Sequence, residues 1–133
     1  MKLNYKKIAA MAFALIGFAL SLQAANLSDQ DKQFLTAYGK AHDALVADDP
    51  ASAKKAAIDL GPDGTDLSKS NSLDEARAAF SKLSDKAVKL AAGQSAYHVA
   101  HCPMLNKDWV QTSTTIANPY GGKGMISCGE IKK

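Results

Sequence analysis

The last third of the chain concentrates side chains that bind soft metal ions. They are His98, His101, Cys102 and Met104 within one short stretch, and Met125 and Cys128 after a turn-rich segment that can fold back beside the first group. Thiolate, thioether and imidazole donors suit Cu(I) better than carboxylates do, because the softness of donor and ion match. The pattern therefore predicts a copper site, with His101, Cys102, Met104, Met125 and Cys128 as candidate ligands.

Each of these residue types also has a purely structural interpretation. In an oxidising compartment, a disulfide between Cys102 and Cys128 would stabilise a small domain by roughly 3.5 kcal/mol. Methionine fills irregular gaps in a core as readily as it binds metal. His98 and His101 share a face of a helix but lie on opposite faces of a strand, so they need not act together. The alternative to a metal site is therefore a disulfide-stapled interaction module that binds no metal.

Catalytic motifs are missing from the sequence. It contains no Cys-x-x-Cys pair for thiol exchange, no haem-attachment motif, no zinc-protease histidine pair and no glycine-rich phosphate loop. The two cysteines are far apart in sequence, which disfavours a thiol-redox enzyme. We therefore expect a binding protein and not an enzyme.

The N-terminus has the three zones of a cleavable signal peptide. Lys2, Lys6 and Lys7 form a positive region, Ile8 to Leu22 is an apolar run, and small or apolar side chains precede a cleavage point after Ala24, with an equally good one after Ala25. The run is shorter than the roughly 20 residues that a membrane-spanning helix needs. The sequence thus predicts a signal peptide over residues 1–24, a single domain over residues 25–133, and a periplasmic or secreted location without a membrane anchor.

Removing that signal changes the charge balance. Three of the 16 basic residues lie within it, so the basic residues that remain equal the 13 acidic ones in number. Nucleic-acid binding needs a clustered excess of Lys and Arg, and a neutral domain does not supply one. We therefore expect no nucleic-acid partner.

Helix signals dominate the first part of the predicted domain. Ser28 caps a helix to about Asp48, and Asp49 followed by proline opens a shorter alanine-rich helix that ends at Gly61-Pro62. Residues 63–71 have loop composition, and the capping-box pattern at Ser72 starts a long helix that stops near Gly93. Apolar residues recur at helical spacing in both long helices. His42, in the first of them, is interpreted as a packed or surface residue and not as a ligand.

The helical pattern of apolar residues ends before Tyr97. Beyond it, Pro103 and the Asn118-Pro119-Tyr120-Gly121-Gly122 turn interrupt any helix. The predicted fold class is mainly α: an antiparallel bundle of three to four helices with a C-terminal cap of loops and short strands. The cap carries the cysteines, methionines and histidines of the candidate site.

Several ordered strings resemble a known family. They are His101-Cys102-Pro103-Met104, then Trp109, then Ile116-Ala117-Asn118-Pro119-Tyr120-Gly121, and finally Met125-Ile126-Ser127-Cys128-Gly129. Together they are similar to the tail of a bacterial domain-of-unknown-function family, found alone in exported proteins or fused to periplasmic adaptor subunits of heavy-metal efflux pumps. The upstream helices resemble that family as well, so the likeness spans nearly all of residues 25–133.

The resemblance implies a helical bundle with a C-terminal cap and an exported role in copper or related metal handling. Carried over by position, it implicates His101, Cys102, Met104, Met125 and Cys128, and it implies a metal-efflux component or metallochaperone as partner. The chain departs from the family at Gly121-Gly122, where relatives tend to place an aromatic residue after the Pro-Tyr step, and we expect no attached adaptor domain.

Overall fold

A computed structural model of the chain describes residues 25–133 and shows four helices and a small antiparallel sheet. The helices are α1 (Asp29–Val46), α2 (Pro50–Asp59), α3 (Thr65–Ser68) and α4 (Leu73–Ala91), and the strands are β1 (His98–Cys102), β2 (Lys107–Gln111) and β3 (Glu130–Ile131). Single 3-10 turns lie at Gly61–Gly64 and Lys123–Met125. The expectation of a mainly helical chain with short strands near its end is confirmed. The predicted signal peptide lies outside the described residues.

The predicted helix starts are confirmed by their caps. Side-chain oxygens of Ser28, Asp49 and Ser72 accept backbone N–H groups at the starts of α1, α2 and α4, at 3.0–3.1 Å. Such caps satisfy amides that have no partner within the helix. Glu75 differs from a simple capping box, since its carboxylate accepts from the amide of Asn71, one residue before the cap.

The expectation of a loop over residues 63–71 is wrong. This segment completes a 3-10 turn and forms α3, and Leu67 of α3 is fully buried. Its hydroxyl residues supply local support, because Thr65 Oγ1 donates to the carbonyl of Pro62 and Ser68 Oγ donates to that of Thr65. Side chains that favour loops thus stabilise a single helical turn once Leu67 is buried.

The core lies where α1, α4 and β2 meet. Tyr38 of α1 and Phe80 of α4 stack with ring centroids 4.5 Å apart, and Trp109 of β2 is fully buried beside them. The Tyr38 hydroxyl bonds to Ser84 at 2.7 Å and accepts the backbone N–H of Val110 at 3.1 Å. Burial outweighs these bonds and raises the pKa of Tyr38, so the phenol stays neutral. The helices therefore anchor β2 through both apolar and polar contacts.

The sheet has the strand order β2-β1-β3 with both pairings antiparallel. In the register, His101 of β1 faces Asp108 of β2 on one side and Glu130 of β3 on the other. Central strand β1 carries two of the candidate ligands, His101 and Cys102. The position of β1 therefore fixes what each of them can reach.

Candidate soft-metal centre

Two thiols converge at the end of the central strand. Cys102 is the last residue of β1, and Cys128 lies two residues before β3, which pairs with β1 in antiparallel sense. Their sulfur atoms are 2.9 Å apart, longer than the roughly 2.05 Å of a disulfide bond, and both cysteines are free. The fold thus brings two residues 26 positions apart in sequence into direct thiol contact.

Gly129 permits this approach. Its φ is +146°, a conformation that only glycine adopts readily, and a Cβ there would lie 2.7 Å from Trp109 Cη2 and 3.1 Å from the His101 carbonyl oxygen. No side chain fits in that space. The chain after Cys128 can therefore press against the buried Trp109 ring and the backbone of β1.

Two helices hold residues 117–119, which lie before Cys128 in the sequence. His42 Nε2 of α1 bonds to the carbonyl of Ala117 at 2.8 Å, and Arg77 Nε of α4 donates to that of Pro119 at 3.0 Å. Arg77 also pairs with Asp48, which has φ +55° just after α1. Residues 117–119 are thus fixed directly by α1 and α4.

Asn118 continues this chain of contacts to the cysteine. It is 1 % exposed, and its Nδ2 donates to the carbonyl of Cys128 at 2.9 Å. Its Oδ1 accepts the backbone N–H of Tyr120 at 2.8 Å, and its own N–H donates to Ile126 O at 2.8 Å. One buried amide therefore closes the loop over residues 118–128.

The two thiols differ in their electrostatic surroundings. Burial raises the pKa of Cys102, but donors around its sulfur outweigh that effect and hold the pKa below its ordinary value. These donors are the Cys128 thiol, the backbone amides of Leu105 and Met104, and the Asn118 side chain. The hydrogen bond to Cys102, together with burial, raises the pKa of Cys128. The pair thus holds its first negative charge on Cys102, with Cys128 as the protonated donor.

His101 points away from the thiols. Successive residues of a strand face opposite sides of the sheet, so His101 and Cys102 diverge. His101 Nδ1 bonds instead to Asp108 Oδ1 at 2.6 Å, and Lys132 Nζ donates to the other carboxylate oxygen at 3.0 Å. A carboxylate on Nδ1 orients a histidine and leaves Nε2 as the nitrogen available to a ligand.

The two methionines occupy unlike environments. Met104 lies in the turn between β1 and β2 with 79 % of its surface exposed. Met125 packs against the core, and its sulfur would lie only 2.9 Å from a Cβ at Gly121. The amide of Cys128 donates to the carbonyl of Met125 at 2.9 Å, so these two residues share one turn. Met125 is therefore held near the thiol pair through the backbone, whereas Met104 stands in solvent.

The five predicted ligands thus separate into two groups. The fold brings Cys102 and Cys128 together with Met125 in the adjoining turn, whereas the His101 side chain bonds to Asp108 and the Met104 side chain is exposed. Within residues 25–133 no group of three or more His, Cys, Asp or Glu side chains is arranged to hold a metal ion. A metal at this place would therefore depend mainly on sulfur.

A pocket elsewhere on the surface contains none of these sulfurs. About 140 Å³ in volume, it lies between α1 and the loop after β2, with His42, Tyr97 and Thr115 in its lining. Gln111 fixes that loop, because its Nε2 donates to the carbonyls of Ser113 and Thr115. The buried polar groups there are already paired, so the pocket points to no ligand chemistry.

Sequence reasoning missed the residues that support the thiol pair. Asn118 is predicted as part of a turn but not as a buried link to Cys128, and no role is predicted for Arg77. His42 was interpreted as packed or surface, and it is buried with a hydrogen bond to the cysteine-bearing segment. The usable signal was Asn118 itself, a strong hydrogen-bonding residue beside Pro119 in a segment rich in apolar neighbours.

Comparison of the chain with protein-family models, with curated proteins and with solved structures found no match. Among residues 25–133, no helix is both long enough and apolar enough to cross a membrane.

Proposed function

We propose that this protein is an exported, periplasmic or secreted, soft-metal-binding protein that sequesters copper or hands it to a partner. Cys102 and Cys128 are its principal ligands, and Met125, in the turn that leads to Cys128, supplies the thioether. The observation that carries the proposal is the 2.9 Å contact between two thiols that the chain separates by 26 positions. A fold that brings two soft donors together is suited to a soft ion.

The donor set favours Cu(I) over the commoner divalent ions. Structural zinc is held by four ligands, usually thiolates and imidazoles, and catalytic zinc by three protein ligands. The described residues around the thiol pair offer no third or fourth ligand of that kind. Cu(I) accepts few ligands and prefers thiolate and thioether, which are the donors present here.

Ionisation of the pair fits metal loading. A thiol must lose its proton to bind metal, so a low pKa reduces the cost of binding near neutral pH. The pKa of Cys102 is already below its ordinary value, and metal would displace the proton that Cys128 donates to it. His101 and Met104 stay in the proposal as accessory ligands that approach only if β1 or its turn rearranges.

Competition for Cu(I) between the purified mature protein and a chromophoric chelator tests the proposal, before and after reduction. We expect one equivalent to bind the reduced protein and the C102S/C128S variant to bind none. Met125→Leu should weaken binding strongly, and Met104→Leu, which removes an exposed accessory thioether, should weaken it less. Equal affinity in the reduced, oxidised and C102S/C128S proteins would refute a thiol-based site.

A disulfide-stapled interaction module is the second candidate, favoured by the full burial of Cys102 against Cys128. Export would place the pair in an oxidising compartment, where contacting thiols form a bridge. Mass spectrometry of protein isolated without reductant decides between the two states. A mass two hydrogens below that of the dithiol would favour the staple, whereas a copper adduct of the dithiol would favour metal binding.

We propose no enzymatic activity. A thiol-exchange enzyme presents an accessible thiolate to its substrate. Here the thiol with the lowered pKa, Cys102, is fully buried, and the partly exposed thiol, Cys128, has a raised pKa. This arrangement suits holding an ion or a bridge better than attacking a substrate disulfide.

The finer architecture and the cellular context are part of the same proposal. We describe α1, α2 and α4 as an antiparallel bundle and the sheet as its C-terminal cap, with a metal-efflux component or metallochaperone as partner and neither nucleic acid nor membrane bound after signal cleavage. N-terminal sequencing of the exported protein should begin at Ala25. Retention of residues 1–24 in the mature protein would contradict export by cleavage.

A further inference from the structure

We infer that Asn118 is a positioning residue that holds Cys128 against Cys102, and that the soft-donor chemistry of the thiol pair depends on this side chain although it contains no sulfur. The inference rests on the proposed role of the thiol pair. It identifies the residue that holds the two thiols in contact.

The geometry around Asn118 supports this role. Both polar groups of its side chain and its backbone N–H are used within one loop: Nδ2 donates to Cys128 O, Oδ1 accepts from the amide of Tyr120, and the backbone N–H donates to Ile126 O. At 1 % exposure the side chain has no water to replace a lost partner. A buried polar group with every bond made fixes one conformation of the loop.

The helices transmit their rigidity to Cys128 through the same residue. His42 of α1 and Arg77 of α4 bind the carbonyls of Ala117 and Pro119, the residues on either side of Asn118. Of these three neighbours in the chain, Asn118 is the one whose side chain reaches Cys128. Without it, Cys128 would be held by the bond of its amide to the Met125 carbonyl in its own turn, by the short β3 pairing and by Gly129 packing, none of which connects it to residues 117–119.

A metal-free measurement isolates this effect. In a glutathione redox buffer, the protein dithiol reduces one glutathione disulfide and becomes an intramolecular disulfide, and two reduced glutathione molecules are released. The equilibrium constant reports how closely the two thiols are held together. We expect Asn118→Ala and Asn118→Asp to shift it toward the dithiol by about tenfold or more, the scale on which ligand-supporting residues act.

Aspartate is the sharper of the two variants. It retains an oxygen for the amide of Tyr120, but when ionised it lacks the N–H that Nδ2 gives to the Cys128 carbonyl. Ser70→Ala is the control for general destabilisation, since Ser70 is also buried but bonds to Leu67 O between α3 and α4. That variant should lose stability and keep the redox equilibrium within about twofold of the parent, as expected for a site that shares no partner with the thiols.

Folded Asn118 variants with the parental redox equilibrium would overturn the inference. If the variants fail to fold, the side-chain amide of Asn118 in the ¹⁵N-labelled parent protein decides. Its protons should exchange slowly and shift on disulfide formation, and rapid exchange without a shift would overturn the inference. If the parent binds no Cu(I) and the variants still shift the redox equilibrium, the metal proposal fails while the role of Asn118 stands.

Discussion

At the scale of single residues, the site depends on hydrogen bonds that leave no buried polar group unpaired. Within residues 25–133 every buried side-chain nitrogen and oxygen has a partner. An unpaired buried donor or acceptor costs more free energy than a hydrogen bond contributes. Removing one partner of a buried hydrogen bond therefore destabilises the fold by the desolvation cost of the partner that remains. Tyr38 supports strand β2 in this way, and the partly exposed Asp108 of β2 bonds to His101 of β1.

Tyr38→Phe should destabilise the protein by about 1–3 kcal/mol, because it leaves the buried amide of Val110 without a hydrogen-bond acceptor. Urea unfolding followed by circular dichroism measures the effect. Tyr97→Phe is the matched control, since Tyr97 is partly buried and its hydroxyl makes no hydrogen bond to other residues within 25–133. Equal losses in the two variants would show that the buried hydroxyl contributes nothing specific.

Asp108 should make stability depend on pH at the acidic end. Burial opposes its ionisation, but hydrogen bonds from Lys132 and His101 outweigh burial and hold the pKa below its ordinary value of 3.8. A depressed carboxyl pKa stabilises the fold above that value, and the stabilisation is lost as pH falls through the folded-state pKa. Asp108→Asn should therefore flatten the fall in stability below about pH 4. A parental pH profile in this variant, measured by urea unfolding, would contradict the assignment.

At the scale of elements, the sequence predicts the three longer helices and the presence of short strands near the end of the chain, but not α3 or the pairing of the strands. Ser28, Asp49 and Ser72 each predicted a helix start that the structure confirms, since capping is a local interaction. Helix α3 was missed because its stability comes from burying Leu67 against the rest of the protein. Strand β3 spans two residues, too few for a periodic signal, although its register sets the position of Cys128.

The same reasoning applies to the candidate site. Residue types alone place His101 and Cys102 in one candidate site. Because both lie on strand β1, their side chains point to opposite faces of the sheet, and only the secondary structure of this segment decides that. The burial of Asn118 arises from contacts with residues 126 and 128, which no local pattern encodes.

Alanine substitutions at two glycines should change the free energy of unfolding in opposite directions. Gly129→Ala should cost about 2 kcal/mol or more, because φ +146° suits glycine alone and a Cβ would collide with Trp109. Gly39→Ala, in α1 with no atom within 4 Å of the added carbon, should stabilise by about 0.5–1 kcal/mol. Chemical unfolding of both variants checks the two signs. A tolerated Gly129→Ala would contradict the packing of the cysteine segment on Trp109.

At the scale of the whole molecule, the helices form a support and the last third of the chain carries the chemistry. α1 and α4 contribute His42 and Arg77, which bind the loop that carries Cys128, and α4 packs on β2. Oxidation of the thiol pair therefore affects the stability of the domain as well as its capacity for metal.

The bridged protein should be more stable than the dithiol by roughly 3.5 kcal/mol, the entropy effect of closing a loop of this length in the unfolded chain. Urea unfolding of oxidised and reduced protein at equal pH compares the two forms. The C102S/C128S variant should match the reduced form under both conditions. An oxidised protein with the same unfolding midpoint as the reduced one would show that the two thiols do not bridge.

X-ray absorption at the copper edge of the Cu(I)-loaded, reduced protein tests the central claim most directly, because it identifies the atoms bound to the metal. We predict a first shell of sulfur alone, which is lost in the C102S/C128S variant and altered in Met125→Leu. A shell that contains nitrogen and persists without the cysteines would place copper at His101, and would contradict a centre built on the Cys102–Cys128 pair.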